Sequence, residues 1–336
     1  MLQLRRSPMG LAVTAFAAMA LAFGVTATFS PQARGQTASA SAAQSGPSSA
    51  QWKALGKTFS FEGQNVFYVD QGSGSATLAI HGYPTSSWDF RRLLGPMSRD
   101  ARFIAPDLLG FGYSDKPAEY SYSIARHADL VVALVKHLGL TRARLIGSDI
   151  GNAVVQELLA RERAAKLPFA IDSVVLINGS LFAEQFKPSN AQRALLSPLG
   201  GMINRGASED TIVTSLTQIS GPERRIPASE LSEVWKLLNY PSDARLMHKT
   251  LPSVEEREAQ DARWTDALCA SNTPLKLVVG AADPTAGKAM AEATTAKCKG
   301  ARRFAALQLD KAGHFPHVEY AQETAQAILA WREGGY

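Results

Sequence analysis

The sequence predicts an α/β fold, a mostly parallel sheet with helices on both faces and a helical segment inserted between two strands. Three observations predict it. Short apolar runs alternate with helix-spaced runs through the 336 residues. The stretch from Leu181 to Arg263 breaks that alternation and shows helical spacing only. One apolar run passes straight into a helix through a turn of the form small-x-acid-x-small.

The elements follow in order. Thr58–Phe61 and Val66–Asp70 are short β-like runs. Thr77–Ile80 is an apolar strand ending at His81-Gly82, and Arg102–Ala105 is one ending at Pro106-Asp107. Within Ser123–Leu138, Ile124, Leu130, Val131, Leu134, Val135 and Leu138 fall at helical spacing. Ala143–Ile146 is a strand, Asn152–Arg163 a helix, and Val174–Ile177 a strand. In the insertion, Leu231, Val234, Trp235 and Leu238 share a helix face, and six prolines from Pro188 to Pro252 punctuate the segment. Leu275–Val279, a helix over about Thr285–Lys297, Phe304–Leu309 and a helix over Ala321–Trp331 complete an eight-stranded pattern. The expected division is 1–40 signal peptide and flexible linker, 55–180 first part of the core, 181–268 helical cap, and 269–336 second part of the core.

Composition narrows the class. With 46% hydrophobic and 19% charged residues, the chain is neither disordered nor fibrous, and it is long enough for a sizeable core. The formal charge is +5, but residues 1–50 hold Arg5, Arg6 and Arg34 and no Asp, Glu or Lys. Without them the balance is +2, with no basic run, so a nucleic-acid partner is not expected. Arg5 and Arg6 precede an uncharged apolar run from Met9 to Phe29, followed by small-residue sites at Val25–Ala27 and Ala38–Ala40. This is the layout of a secretory signal, so a periplasmic or secreted protein is expected. The run is also long enough for an uncleaved membrane anchor, and the Arg5–Arg6 pair permits a twin-arginine signal. Gln36–Gln51 reads as a flexible tether. Export would allow Cys269 and Cys298, the two cysteines, to form a disulfide rather than stay separate buried thiols.

The chemistry centres on Gly147-Ser148-Asp149-Ile150-Gly151. A nucleophile elbow needs small residues two before and two after its central residue, and the central side chain then projects near a helix N-terminus. That residue is Asp149. Centring the turn on Ser148 would put Ile146 and Ile150 at the small positions, which the turn would not accept. The plain alternative is a helix N-cap Asp. Two later strand-end loops weigh against it: Gly280-Ala281-Ala282-Asp283-Pro284 and Lys311-Ala312-Gly313-His314-Phe315-Pro316-His317. Together they give the order nucleophile, acid, base. His314 would be the base and Asp283 would fix its tautomer, while His317 reads as structural. Oxyanion donors would be the backbone N–H groups of Ile150 and Tyr83, since Pro84 has none.

These residues make the chain resemble the α/β-hydrolase fold over about 55–336, and more narrowly the branch of epoxide hydrolases and haloalkane dehalogenases. The segments carrying the resemblance are His81–Ser87 with Arg91, Asp107–Pro117, the Asp149 elbow and Gly313–Glu319. The chain is also similar to the mesoderm-specific transcript hydrolases at the elbow, at Val155–Leu159 and at Ile177-Asn178-Gly179. The resemblance implies attack by Asp149 on an sp³ carbon, an alkyl ester, and hydrolysis by water that His314 activates. Dehalogenases hold halide with an amide or Trp at position 83 and a Trp after the nucleophile; here stand Tyr83 and Ile150. Epoxide hydrolases protonate the epoxide oxygen with cap tyrosines, and this cap offers Tyr240, with help expected from the Tyr83 hydroxyl or from Trp235 or Trp264. The expectation is therefore an exported, epoxide hydrolase-like enzyme acting on a small organic molecule. A dehalogenase or ester/lactone hydrolase on the same triad, and a catalytically silent binding protein, are the alternatives. No phosphate loop, zinc-ligand cluster or dinucleotide fingerprint is present in the sequence, and no cofactor is expected.

Overall fold

A computed structural model describes residues 46–185, 188–241, 244–251, 255–298 and 304–332. The signal and anchor readings fall outside the described residues. Among the described residues no helix is long and apolar enough to cross a membrane. Eight strands form one sheet: β1 (Gly56–Phe61), β2 (Gln64–Gln71), β3 (Ala76–Ile80), β4 (Arg102–Pro106), β5 (Arg142–Ser148), β6 (Ala170–Ile177), β7 (Leu275–Gly280) and β8 (Phe304–Leu309). Their spatial order is β1-β2-β4-β3-β5-β6-β7-β8. β2 pairs antiparallel with β1 and β4, and all other pairs are parallel. All five residues of β3 are buried, as expected of a strand covered on both faces.

The helices in chain order are α1 (Ser49–Leu55), α2 (Arg91–Ser98), α3 (Ile124–His137) and α4 (Ile150–Arg163); then α5 (Asn190–Leu196), α6 (Gly200–Gly206), α7 (Glu209–Ile219), α8 (Ala228–Leu238) and α9 (Met247–Thr250); then α10 (Glu255–Cys269), α11 (Lys288–Lys297), α12 (Pro316–Glu319) and α13 (Ala321–Arg332). α4 is buried from Ile150 through Ala160, so it runs through the core rather than over it. α5 to α9 all fall between β6 and β7 in the chain, within the segment expected to be a cap. Arg91 and Arg92 of α2 both bond the Glu230 carboxylate of α8, which fastens the cap to the core.

Register aligns the strand ends. Ile80 of β3 lies opposite Gly147 of β5, Ser148 opposite Ile177 of β6, Ile177 opposite Val278 of β7, and Gly280 opposite Leu309 of β8. The loops carrying His81–Pro84, Asp149, Asn178, Asp283 and His314 thus leave one edge of the sheet together.

Two boundaries differ from the expected ones. The tether was expected to run to Gln51 with nothing to bury, but Ser48 and Gln51 form a reciprocal capping box that starts α1. Trp52 is fully buried, and its indole donates to Ser87 Oγ at 3.0 Å, so the fold begins before residue 55. The cap was expected to extend to 268, but α10 packs on α4 of the core. Trp264 Nε1 donates to Glu157 Oε2 at 2.9 Å, and Arg257 Nη1 donates to Gln156 Oε1 at 3.1 Å. α10 and α11 are joined by the Cys269–Cys298 disulfide.

Candidate active site

The turn between β5 and α4 is tight because its glycines allow it. A Cβ on Gly147 would lie 2.8 Å from Asn152 Oδ1, and one on Gly151 would overlap the Ile80 carbonyl oxygen. Asp149 takes φ 51° and ψ −116°, a left-handed backbone that a non-glycine residue adopts at a cost. It sits at the N-cap of α4 yet makes no side-chain cap bond. The carboxylate therefore serves something other than capping.

One carboxylate oxygen faces the loop after β3. Tyr83 N–H donates to Asp149 Oδ2 at 2.8 Å. The aim of that N–H is set by its own peptide, because C=O and N–H point opposite ways in a trans unit. The Gly82 carbonyl is held by His81 Nδ1 at 2.8 Å and by Thr85 Oγ1 at 3.3 Å. His81 Nε2 accepts the Leu108 N–H at 3.0 Å, so its proton sits on Nδ1, and burial pushes its pKa down. Ile150 opens α4, so its N–H is one of those without an intrahelical acceptor.

The other oxygen faces His314. His314 Nε2 lies 4.0 Å from Asp149 Oδ1, and His314 Nδ1 lies 2.7 Å from Asp283 Oδ2. Burial works against the His314 imidazolium, but Asp283 and then Asp149 outweigh it and push its pKa up to about 9. Burial works against the Asp283 carboxylate too. His314 and the donors of Thr285 reverse that and hold its pKa down. Thr285 gives Asp283 Oδ1 its N–H at 2.8 Å and its hydroxyl at 2.7 Å.

Several residues at the site had no role in the sequence reading. Asn178 Nδ2 donates to Asp283 Oδ2 at 2.9 Å and to the Gly313 carbonyl at 3.0 Å, and its Oδ1 accepts Gly280 N–H at 2.7 Å. It ties the ends of β6 and β7 to the His314 loop. A polar residue directly after the apolar run Val174–Ile177 is the signal that could have marked it. Arg257 is buried close enough to Asp149 for the two charges to interact; burial pushes its pKa down to about 10, so it remains a cation. Nothing in the charged sequence of α10 singles it out.

Above Asp149 and His314 lies a cavity of about 540 Å³, walled on its other side by residues of α5, α6, α7 and α9. Leu195, Ile203, Ile212, Leu216 and Met247 supply apolar wall, while Tyr83, Asp149, Thr285 and His314 form the reactive end. Among the described residues its wall holds no Lys, Arg or Glu. The three aromatic residues expected there, Tyr240, Trp235 and Trp264, are not part of it. The Tyr240 hydroxyl accepts from Lys53 Nζ at 3.0 Å, and its ring packs 4.9 Å from Tyr113. Trp235 lies against the Arg245 guanidinium at 4.8 Å, and Trp264 is fixed to Glu157. The reason is common to all three: each polar aromatic found a charged partner at an element boundary. His317 is fully buried between Phe90 and Phe315, and burial pushes its pKa down to about 3, so it stays neutral.

A family model described as alpha/beta hydrolase fold matches residues 78–321. The chain belongs to the α/β-hydrolase family. It is 33% identical over 290 residues to "Putative hydrolase LipZ" of Mycobacterium tuberculosis, covering 84% of this chain and 98% of that protein. It is 35% identical over 256 residues to the mesoderm-specific transcript protein of Mus musculus, covering 72% and 75%. Among solved structures it is similar to the haloalkane dehalogenase DbeA of Bradyrhizobium elkani, with TM-score 0.70 and 23% identity over 83% of this chain and 97% of that one. This α/β hydrolase is therefore a hydrolase by family, built on the eight-stranded sheet and topped by the cavity just described.

Proposed function

We propose that this α/β hydrolase opens epoxides of small uncharged organic molecules through an alkyl ester on Asp149. The observation that carries the reading is the division of labour between the two Asp149 oxygens. Oδ2 accepts Tyr83 N–H at 2.8 Å, and Oδ1 points to the side of His314 Nε2, 4.0 Å away. Oδ1 is free to attack an sp³ carbon. Oδ2 already sits where negative charge returns when water attacks the Asp149 carbonyl carbon. His314 takes that water's proton, steadied by Asp283. Among the described residues the cavity wall holds no Lys, Arg or Glu, which suits a neutral substrate. Epoxides come ahead of haloalkanes because positions 83 and 150 carry Tyr and Ile, which offer no amide or indole donor for a leaving halide.

The test is a panel of styrene-type epoxides, short haloalkanes and nitrophenyl esters. Asp149→Ala should lose epoxide turnover, and His314→Gln incubated with epoxide should gain the substrate's mass on Asp149. Turnover by the unmodified chain with no trappable adduct would reject the alkyl-enzyme route. The same reading includes export, supported by the leader-like first forty residues and by the Cys269–Cys298 disulfide. N-terminal sequencing of protein from the periplasm or medium checks it: a start after one of the small-residue sites is expected.

A further inference from the structure

Opening an epoxide leaves its oxygen as an alkoxide, and a proton delivered to that oxygen lowers the barrier. The cap has a single tyrosine, Tyr240, and its hydroxyl is committed to Lys53, outside the cavity wall. The Trp264 indole is committed to Glu157. One phenol does line the cavity. Tyr83 sits beside Asp149, joined to it through its backbone N–H, and its ring meets Phe111 edge-on at 6.4 Å. Its hydroxyl hydrogen-bonds none of the described residues. We propose that Tyr83 is a catalytic residue twice over, its backbone N–H serving the oxyanion and its hydroxyl protonating the departing epoxide oxygen.

Burial, and then the Asp149 charge, push the Tyr83 phenol up, so it holds its proton at neutral pH. The step balances as follows. Asp149 Oδ1 forms a bond to an epoxide carbon. The C–O bond breaks, and its electron pair goes to the epoxide oxygen, which takes the phenolic proton. The imidazolium proton of His314 then restores the Tyr83 hydroxyl, by way of water in the cavity. That leaves His314 neutral, as it must be to take a proton from the attacking water. The hydroxide so formed adds to the Asp149 ester, and collapse returns the carboxylate and releases a diol. Water and epoxide are consumed, and His314 ends protonated as it began.

This inference rests on the epoxide reading and is tested separately from it. Tyr83→Phe keeps the backbone N–H and removes only the hydroxyl. Single-turnover mass spectrometry with styrene oxide reads formation and decay of the Asp149 ester. Ester formation should slow by about 10²-fold or more. Decay of ester preloaded at high substrate should stay within about threefold, and the solvent deuterium isotope effect on formation should vanish. A role confined to holding the loop would slow both steps, because Tyr83 N–H also serves the tetrahedral intermediate; that result would overturn the proposal. Formation at the parent rate would overturn it too, as would loss of formation in Tyr240→Phe, expected here at the parent rate. If the unmodified chain opens no epoxide and forms no ester, the epoxide reading itself falls and takes this inference with it.

Discussion

On the proposed mechanism His314, whose pKa is pushed up to about 9 chiefly by Asp283, has to lose its proton before it can activate water. The change of state comes from the chemistry itself. Once Asp149 is esterified, one of the three carboxylates that hold the proton on His314, Asp283, Asp149 and Glu319, is gone, and its pKa falls below about 9. The rate of ester decay should therefore rise with pH and level off below pH 9, read by single-turnover mass spectrometry of the Asp149 ester in the unmodified chain. Stability runs the other way. A His pKa raised from about 6.5 in the unfolded chain stabilises the fold fully below that pH and ceases to do so as pH climbs through about 9. Thermal midpoints measured from pH 6 to 10 should show a decline across that window that His314→Gln flattens. At this scale the meeting of Asp149, Asp283 and His314 was readable because turn sterics single out Asp149 and the chain order supplies the other two. Asn178 and Arg257 were not. Their partners lie about a hundred residues away and meet them only through strand register and helix packing.

Among the elements, most strands and the helices α3 and α4 could be read from periodicity, since α3 buries a clear face and α4 is buried from Ile150 through Ala160. The ends of the cap could not. α10 is mostly polar, and a charge cluster seats it on α4 beside a short apolar group of Trp264, Ala267 and Leu268. Glu157 accepts from Arg161 Nε at 2.8 Å, from the Trp264 indole at 2.9 Å and from Arg263 Nη2 at 3.2 Å. These donors outweigh its burial and hold its pKa down. Glu157→Ala orphans a buried indole N–H, which costs about 1–3 kcal/mol. Calorimetry should show a lower thermal midpoint, with turnover per folded molecule within twofold of the parent. α1 escaped notice for a different reason. Its apolar content is little more than Trp52, and the Ser48–Gln51 box that starts it lies inside a run of Ser, Ala and Gln.

For the whole molecule, the disulfide closes the last crossover, joining the end of α10 to the end of α11 across 29 residues. In the chain-entropy model a loop of that size stabilises by about 3–4 kcal/mol. Urea unfolding of Cys269→Ser should show a loss of that order without reductant. With dithiothreitol throughout, the parent should fall to meet it. The eight strands and the helices between them, by contrast, owe nothing to cysteine and were legible from alternation. One consequence of the Asp149 geometry concerns how such a protein is found in a cell. Fluorophosphonate probes label serine hydrolases when the elbow hydroxyl attacks their phosphorus and expels fluoride, seating a phosphoryl oxygen in the oxyanion hole. Here the elbow presents a carboxylate, and that carboxylate already occupies the Tyr83 donor. On the proposed mechanism the chain is silent in serine-directed activity profiling and shows itself only to electrophiles that alkylate.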